Sequence, residues 1–83
     1  MPLFMDVHDG IPEDADAKAV AEAHEADLQV QDEYDTRYIN YWFDEENRRI
    51  FCLVEAPDAE TAHAVHREAH GLVADEIYRV VQG

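Results

Sequence analysis

The sequence has 83 residues, 47% of them hydrophobic, and twenty acidic residues against six basic ones give a formal net charge of −14. So short a chain can bury one modest core, which predicts a single domain over residues 1–83. The hydrophobic fraction excludes a disordered chain, and no apolar run approaches the ~20 residues that cross a bilayer. The N-terminal segment also lacks the basic and apolar regions of a signal peptide.

The negative charge predicts which partners the protein avoids. Nucleic acid and anionic membranes are poor partners, because each phosphate contact needs a cation. The acidity fits either a cation-binding protein or a halophilic cytoplasm, in which an acidic, lysine-poor surface stays hydrated. The acids are scattered and form no D-x-D-x-D-G loop, which favours the halophilic explanation. The lone cysteine, Cys52, permits no internal disulfide, so we expect a cytoplasmic protein.

The first half of the chain predicts a strand, a helix and a second strand. Residues Leu3 to His8 alternate between two sides, as a half-buried strand does. A helix should begin at Asp14 or Asp16, because apolar residues then recur at helical spacing. Residues 36–43 are rich in aromatic and β-branched side chains and predict the second strand.

The second half predicts a strand, a helix and a final strand. A polar turn at residues 44–47 leads into the apolar run 49–55, which predicts a central strand. Pro57 ends that strand, and Asp58 can cap a helix that runs to Ala69 before Gly71. Residues 76–82 predict the last strand. The order β-α-β-β-α-β predicts a ferredoxin-like α+β fold, a four-stranded antiparallel sheet with both helices on one face.

The face of the sheet opposite the helices should remain uncovered. Period-2 alternation assigns six residues to it: Phe4, Asp6, His8, Tyr38, Asn40 and Trp42. So many aromatic side chains on one exposed face favour burial against a second copy of the chain. We therefore expect a homodimer through the open sheet face.

The five histidines are the main candidates for chemistry. His66 and His70 lie four residues apart on the second predicted helix, a spacing that can chelate Zn, Ni or Cu, and His63 lies on the same side. The simpler alternative is that small apolar residues form the buried face of this helix and histidines form its polar flank.

A second group of candidates lies on the first strand, the first helix and the third strand. His24 lies inside the apolar stripe of its helix and therefore needs a hydrogen-bond partner or a metal. His8 and Asp6 share one side of the first strand, which neighbours the strand of Cys52 in a ferredoxin-like sheet. This is a weak metal signal, since the chain has no C-x-x-C or H-E-x-x-H motif. No base or helix N-terminus stands beside Cys52 to predict a nucleophilic thiolate.

Several short motifs resemble those of the small nickel-binding, ferredoxin-like proteins of a domain-of-unknown-function family. They are FMDVH with Gly10, the AHxxD segment of the first helix, CLVEAP, the histidine-bearing helix up to Gly71, and ADEI. The resemblance covers nearly the whole chain and implies a dimer-forming fold that binds a divalent metal, with nickel as the metal. The residues that match the pattern best, and that the resemblance implies as ligands, are His8, His24, Cys52, Glu55 and His66.

The leading hypothesis is a cytoplasmic protein that binds a divalent transition metal, with nickel indicated by the resemblance. One alternative is a small enzyme in which His24 or His8 beside Asp6 acts as a general base on a small apolar substrate. The other is a noncatalytic dimeric interaction module. A closed cluster of ligands favours the metal, a roomy apolar pocket with one base favours the enzyme, and an undimerised aromatic face favours the module.

Overall fold

The computed structural model describes all 83 residues and contains the six predicted elements in the predicted order. They are β1 (Leu3–His8), α1 (Ala17–Val30), β2 (Arg37–Asp44), β3 (Arg49–Glu55), α2 (Ala59–Ala69) and β4 (Glu76–Val80). A short 3-10 helix, Gln31–Tyr34, follows α1. Neither helix is long and apolar enough to cross a membrane.

The ends of the two helices are fixed by side-chain caps. The Ala19 backbone N–H donates to Asp16 Oδ1 at 2.9 Å, and the Thr61 N–H donates to Asp58 Oδ1 at 2.8 Å. Each aspartate thereby satisfies a backbone donor that has no partner inside its helix. At the other end of α2, Gly71 has a φ of 82°, a left-handed conformation that glycine adopts without strain.

The strands form one antiparallel sheet in the order β2-β3-β1-β4. The two central strands are therefore β1 and β3, and Asp6 of β1 lies directly opposite Cys52 of β3. Both helices cover one face of the sheet. The predicted ferredoxin-like α+β fold is confirmed.

The faces of β1 are the reverse of those predicted. Phe4, Asp6 and His8 are buried beneath the helices, so the prediction that they lie on the open face is wrong. The predicted alternation along β1 is present, because the residues between Phe4, Asp6 and His8 are only partly buried. Asp6 and His8 occupy the helix-covered face because His66 of α2 meets both of them there.

A β-bulge in β2 changes the face on which Tyr38 lies. Tyr38 pairs with Val54, whereas Asn40 pairs with Leu53, so Ile39 is an extra residue. Tyr38 is consequently buried beneath the helices at 3% exposure, while Trp42 is 49% exposed on the open face. The prediction is wrong for Tyr38 and correct for Asn40 and Trp42.

The core lies between the helices and the sheet. Its buried hydrophobic residues are Phe4, Tyr38, Cys52, Val54, Ala56, Ala62 and Val65. The open face, by its register, carries a second apolar group: Met5, Val7, Trp42, Phe51, Leu53 and Tyr78. Tyr78 is 50% exposed and Trp42 is as exposed, so this face is uncovered in the single chain.

Candidate metal centre

The centre of the helix-covered face is polar, because Asp6 of β1 meets His66 of α2 there. Asp6 is 0% exposed and His66 is 1% exposed. His66 Nε2 lies 3.0 Å from Asp6 Oδ2, and the Tyr38 hydroxyl donates to the same oxygen at 2.9 Å. Burial, followed by the negative charge of Asp6, raises the pKa of Tyr38, which keeps that hydroxyl a donor.

His66 lies between two carboxylates that belong to different elements. Its Nδ1 is 2.8 Å from Oδ1 of Asp27 on α1, and His70 Nε2 is 3.1 Å from the same oxygen. Burial opposes the charged imidazolium, but the hydrogen bonds with Asp27 and Asp6 outweigh it and raise the pKa of His66 to about 9. At neutral pH the metal-free site therefore holds a His66 imidazolium.

The pKa values of Asp6 and Asp27 shift downward, opposite to the shift of His66. Burial favours their neutral forms, yet the hydrogen bonds and positive charge of the histidines hold the pKa values of Asp6 and Asp27 below the usual range. Both aspartates are therefore ionised across the physiological pH range.

His8 and Cys52 complete a group that we call the four-residue cluster: Asp6, His8, Cys52 and His66. Each member is buried and offers one ligand atom, and these atoms lie within 4.8 Å of one another. His8 Nε2 is 3.4 Å from His66 Nε2 and 3.4 Å from Asp6 Oδ1. Asp6 Oδ1 is buried and has no hydrogen-bond partner.

The four-residue cluster fits a transition-metal ion in its chemistry and in its spacing. Two imidazoles, a carboxylate and a thiol are the ligands that Ni, Zn and Cu use in proteins. Two donors bound to one ion at about 2.0–2.3 Å lie about 3–4 Å apart, and the 3.4 Å distances between His8, His66 and Asp6 Oδ1 match that range. Burial and the charge of Asp6 raise the pKa of Cys52, so a metal would have to displace the thiol proton.

A cavity of about 350 Å³ opens beside the cluster. Its floor includes His8, Cys52 and His66, so the cluster can be reached from it. One wall is the segment between β1 and α1, which Arg48 holds in place: its side chain donates to the backbone carbonyls of Ile11, Pro12 and Ala15.

The family profile described as nickel responsive protein SCO4226-like matches residues 4–80. The chain belongs to the SCO4226-like family. The crystal structure of SCO4226 from Streptomyces coelicolor A3(2) has a TM-score of 0.89 to this chain at 37% sequence identity, and the match covers 98% of each chain. The sequence has no significant match among curated proteins. The predicted resemblance to a nickel-associated ferredoxin-like family is confirmed.

This SCO4226-like chain brings three of the five predicted ligands together. His8, Cys52 and His66 belong to the four-residue cluster. Glu55 does not, because it points to the other face of β3 and forms an ion pair with Arg37 at 3.1 Å. Since strand residues alternate, two residues three apart cannot share a face.

His24, the fifth predicted ligand, lines the cavity without joining the cluster. Its ring centroid lies 4.7 Å from that of Tyr41. Its Nδ1 is buried and has no hydrogen-bond partner.

The predicted ligand set omitted Asp6, Asp27 and Tyr38, although the sequence placed Asp6 and His8 near the strand of Cys52. A signal existed for Asp6, which shares a side of β1 with His8 and faces Cys52 across the sheet. Asp27 offered none, because its contact with His66 depends on how α1 packs against α2. The position of Tyr38 could not be predicted, because the bulge at Ile39 reverses the face that the alternation of β2 assigns to it.

Proposed function

We propose that this SCO4226-like protein binds a divalent transition-metal ion through the four-residue cluster, with nickel as the first candidate. The observation that carries the proposal is Asp6 Oδ1, a buried carboxylate oxygen without a partner that lies 3.4 Å from His8 Nε2. An orphaned buried acceptor is costly. A metal ion held by this oxygen and the two imidazoles would satisfy it.

The contacts around the cluster leave Oδ1 of Asp6 free, and Nε2 of His66 becomes available when it gives up its hydrogen bond to Asp6 Oδ2. Tyr38 donates to Asp6 Oδ2, so Oδ1 remains for a metal. Asp27 holds His66 at Nδ1, so Nε2 remains for a metal once its proton leaves. Carboxylates that orient a ligating histidine in this way strengthen metal sites.

This function can be tested by identifying the metal that copurifies with protein prepared without an affinity tag and without added metal. We expect elemental analysis to find a transition metal at up to one ion per chain, and nickel titration of the metal-free protein to saturate at a tight site. Protein that carries no transition metal and gives no saturable heat with Ni²⁺, Zn²⁺ or Cu²⁺ would contradict the proposal.

We also propose that the chain folds as a single domain and forms a homodimer through the open face. We further propose that it works in a cytoplasm rich in salt. The exposed Trp42 and Tyr78 support the dimer, because apolar patches beyond a few hundred Å² are uncommon on soluble monomers. The free thiol of Cys52 suits a reducing compartment. The net charge of −14 supports the salt-rich environment.

A further inference from the structure

The cavity beside the cluster has the size and the apolar lining of a small-molecule binding site. Its volume of about 350 Å³ lies within the range of about 300–1,000 Å³ that ligand pockets occupy. Its apolar lining includes Tyr41, Ile50 and Cys52 of the sheet. Three segments outside the sheet supply the rest: Ile11 and Pro12 before α1, Val20 and Ala23 on α1, and Leu72 and Val73 after α2.

The mouth of the cavity exposes apolar surface. Leu72 is 61% exposed and Val73 is 37% exposed, and both line the cavity. An apolar molecule seated between these side chains and α1 would remove their surface from water, which stabilises the bound state.

His24 lines the cavity, and one of its ring nitrogens has no hydrogen-bond partner. Its Nδ1 is buried and lacks a hydrogen bond, although its ring is held against Tyr41. A buried imidazole nitrogen without a partner costs free energy. Because this nitrogen is closed to solvent, a ligand head group would pair with it once the ring turns toward the cavity.

Charge narrows the class of ligand. Asp9, Asp27 and Asp75 line the cavity, and the whole chain carries −14. Asp9 is paired with Arg49 and Asp27 with His66, so the charge inside the cavity is partly balanced, and anions are repelled mainly on approach to the acidic chain. A neutral or cationic molecule is not.

We propose that this cavity binds a small organic molecule, neutral or cationic, that has one apolar ring or short chain and one hydrogen-bonding head group paired with His24. The cavity adjoins the proposed metal site, because His8, Cys52 and His66 line it. The contacts proposed for the ligand, the three apolar segments and His24, lie outside the four-residue cluster. The proposal concerns the chain with the cluster empty, because an ion at the floor of the cavity would change the charge that a ligand meets.

Amide NMR of the isotopically labelled full chain tests the proposal with three probes of one size: 4-methylphenol, benzylamine and benzoate. We expect saturable shifts at Val20, Ala23 and Leu72 with the neutral and cationic probes, and benzoate binding weaker by about tenfold or more, a difference of about 1.4 kcal/mol. No saturable shift with either of the first two probes would overturn the proposal. So would shifts centred on Trp42, or equal binding of benzoate.

Matched variants locate the site. Ala23→Phe fills the cavity and should weaken benzylamine binding by about tenfold or more, whereas Ala19→Phe, on the exposed side of α1, should leave it unchanged. If Ala23→Phe does not fold, Leu72→Gln at the exposed rim should weaken binding by about fivefold through lost apolar contact. Unchanged binding in the rim and filled variants would overturn the proposal.

Nickel titration of the same samples separates this proposal from the metal function. Probe binding without nickel binding contradicts the metal function alone. Nickel binding without probe binding overturns the cavity proposal alone.

Discussion

The two ring nitrogens of His66 have different roles in the site. Nδ1 is held by Asp27 at 2.8 Å, while Nε2 faces Asp6 at 3.0 Å and His8 at 3.4 Å. Without a metal, the two carboxylates stabilise an imidazolium and raise the pKa of His66 to about 9. With a metal, the Nε2 proton must leave and the Nδ1 proton can stay. Proton release is therefore coupled to metal binding.

The affinity for nickel should consequently rise with pH. Below about pH 9, the pKa of His66, binding releases one proton from His66 and one from Cys52, whose thiol pKa is also raised. Each released proton contributes about tenfold in affinity per pH unit. Above that pH only the Cys52 proton contributes, so the rise becomes shallower. Calorimetric titration from pH 6 to pH 10, in buffers of different ionisation enthalpy, measures both the affinity and the protons released, and a flat affinity would exclude His66 and Cys52 as ligands.

At the scale of elements, α2 must sit firmly on the sheet to hold His66 over Asp6. Val65 precedes His66 on this helix and is 0% exposed. Val65→Ala removes two buried methyl groups and leaves a cavity, so we expect a loss of about 2 kcal/mol of unfolding free energy.

Val81→Ala is the matched control, because Val81 is 93% exposed. Its effect should stay within about 0.5 kcal/mol. Urea unfolding of the metal-free protein compares the two. Equal stability of both variants would mean that α2 is not packed as described.

The positions of the strands and helices could be predicted from the sequence, whereas the buried face of β1 and the bulge in β2 could not. Strand and helix positions followed from local patterns, because alternation, helical spacing and the caps at Asp16 and Asp58 are local properties. Which face of β1 is buried was not local: Asp6 and His8 are buried only because α2 brings His66 to them. The bulge at Ile39 likewise has no signal in the alternation of β2 itself.

The same distinction explains the predicted ligands. The topology alone brought His8 and Cys52 near each other, since β1 and β3 are neighbours. The family resemblance added His66, which the structure brings to the cluster, and Glu55, which it does not.

At the scale of the whole molecule, the net charge of −14 should make stability depend on salt. Like charges on so small a surface repel one another, and the range of that repulsion falls to ~3 Å at 1 M salt. We expect the thermal midpoint to rise between low and molar KCl, in one cooperative transition. Calorimetry measures it, and a midpoint that stays level or falls would argue against adaptation to a salt-rich cytoplasm.

The open face should mediate dimer formation. Trp42→Glu replaces an exposed aromatic side chain with a charge on this face, which loses apolar contact and adds repulsion across a twofold axis. We expect the wild type to sediment as a dimer in molar salt and the variant as a monomer. Leu72→Glu, which alters an exposed apolar residue at the cavity beside α1 and away from the open face, should stay dimeric. A monomeric wild type at micromolar concentration would contradict the open-face dimer.

The central claim, a metal site in the four-residue cluster, is tested most directly by nickel calorimetry on tag-free protein with single substitutions. His8→Gln and Cys52→Ser each remove one ligand, so we expect each to weaken the affinity by about tenfold or more. His63→Gln and Glu55→Gln change a histidine and an acid outside the cluster and should bind as the wild type does. If His8→Gln and Cys52→Ser keep the wild-type affinity, the cluster is not the metal site.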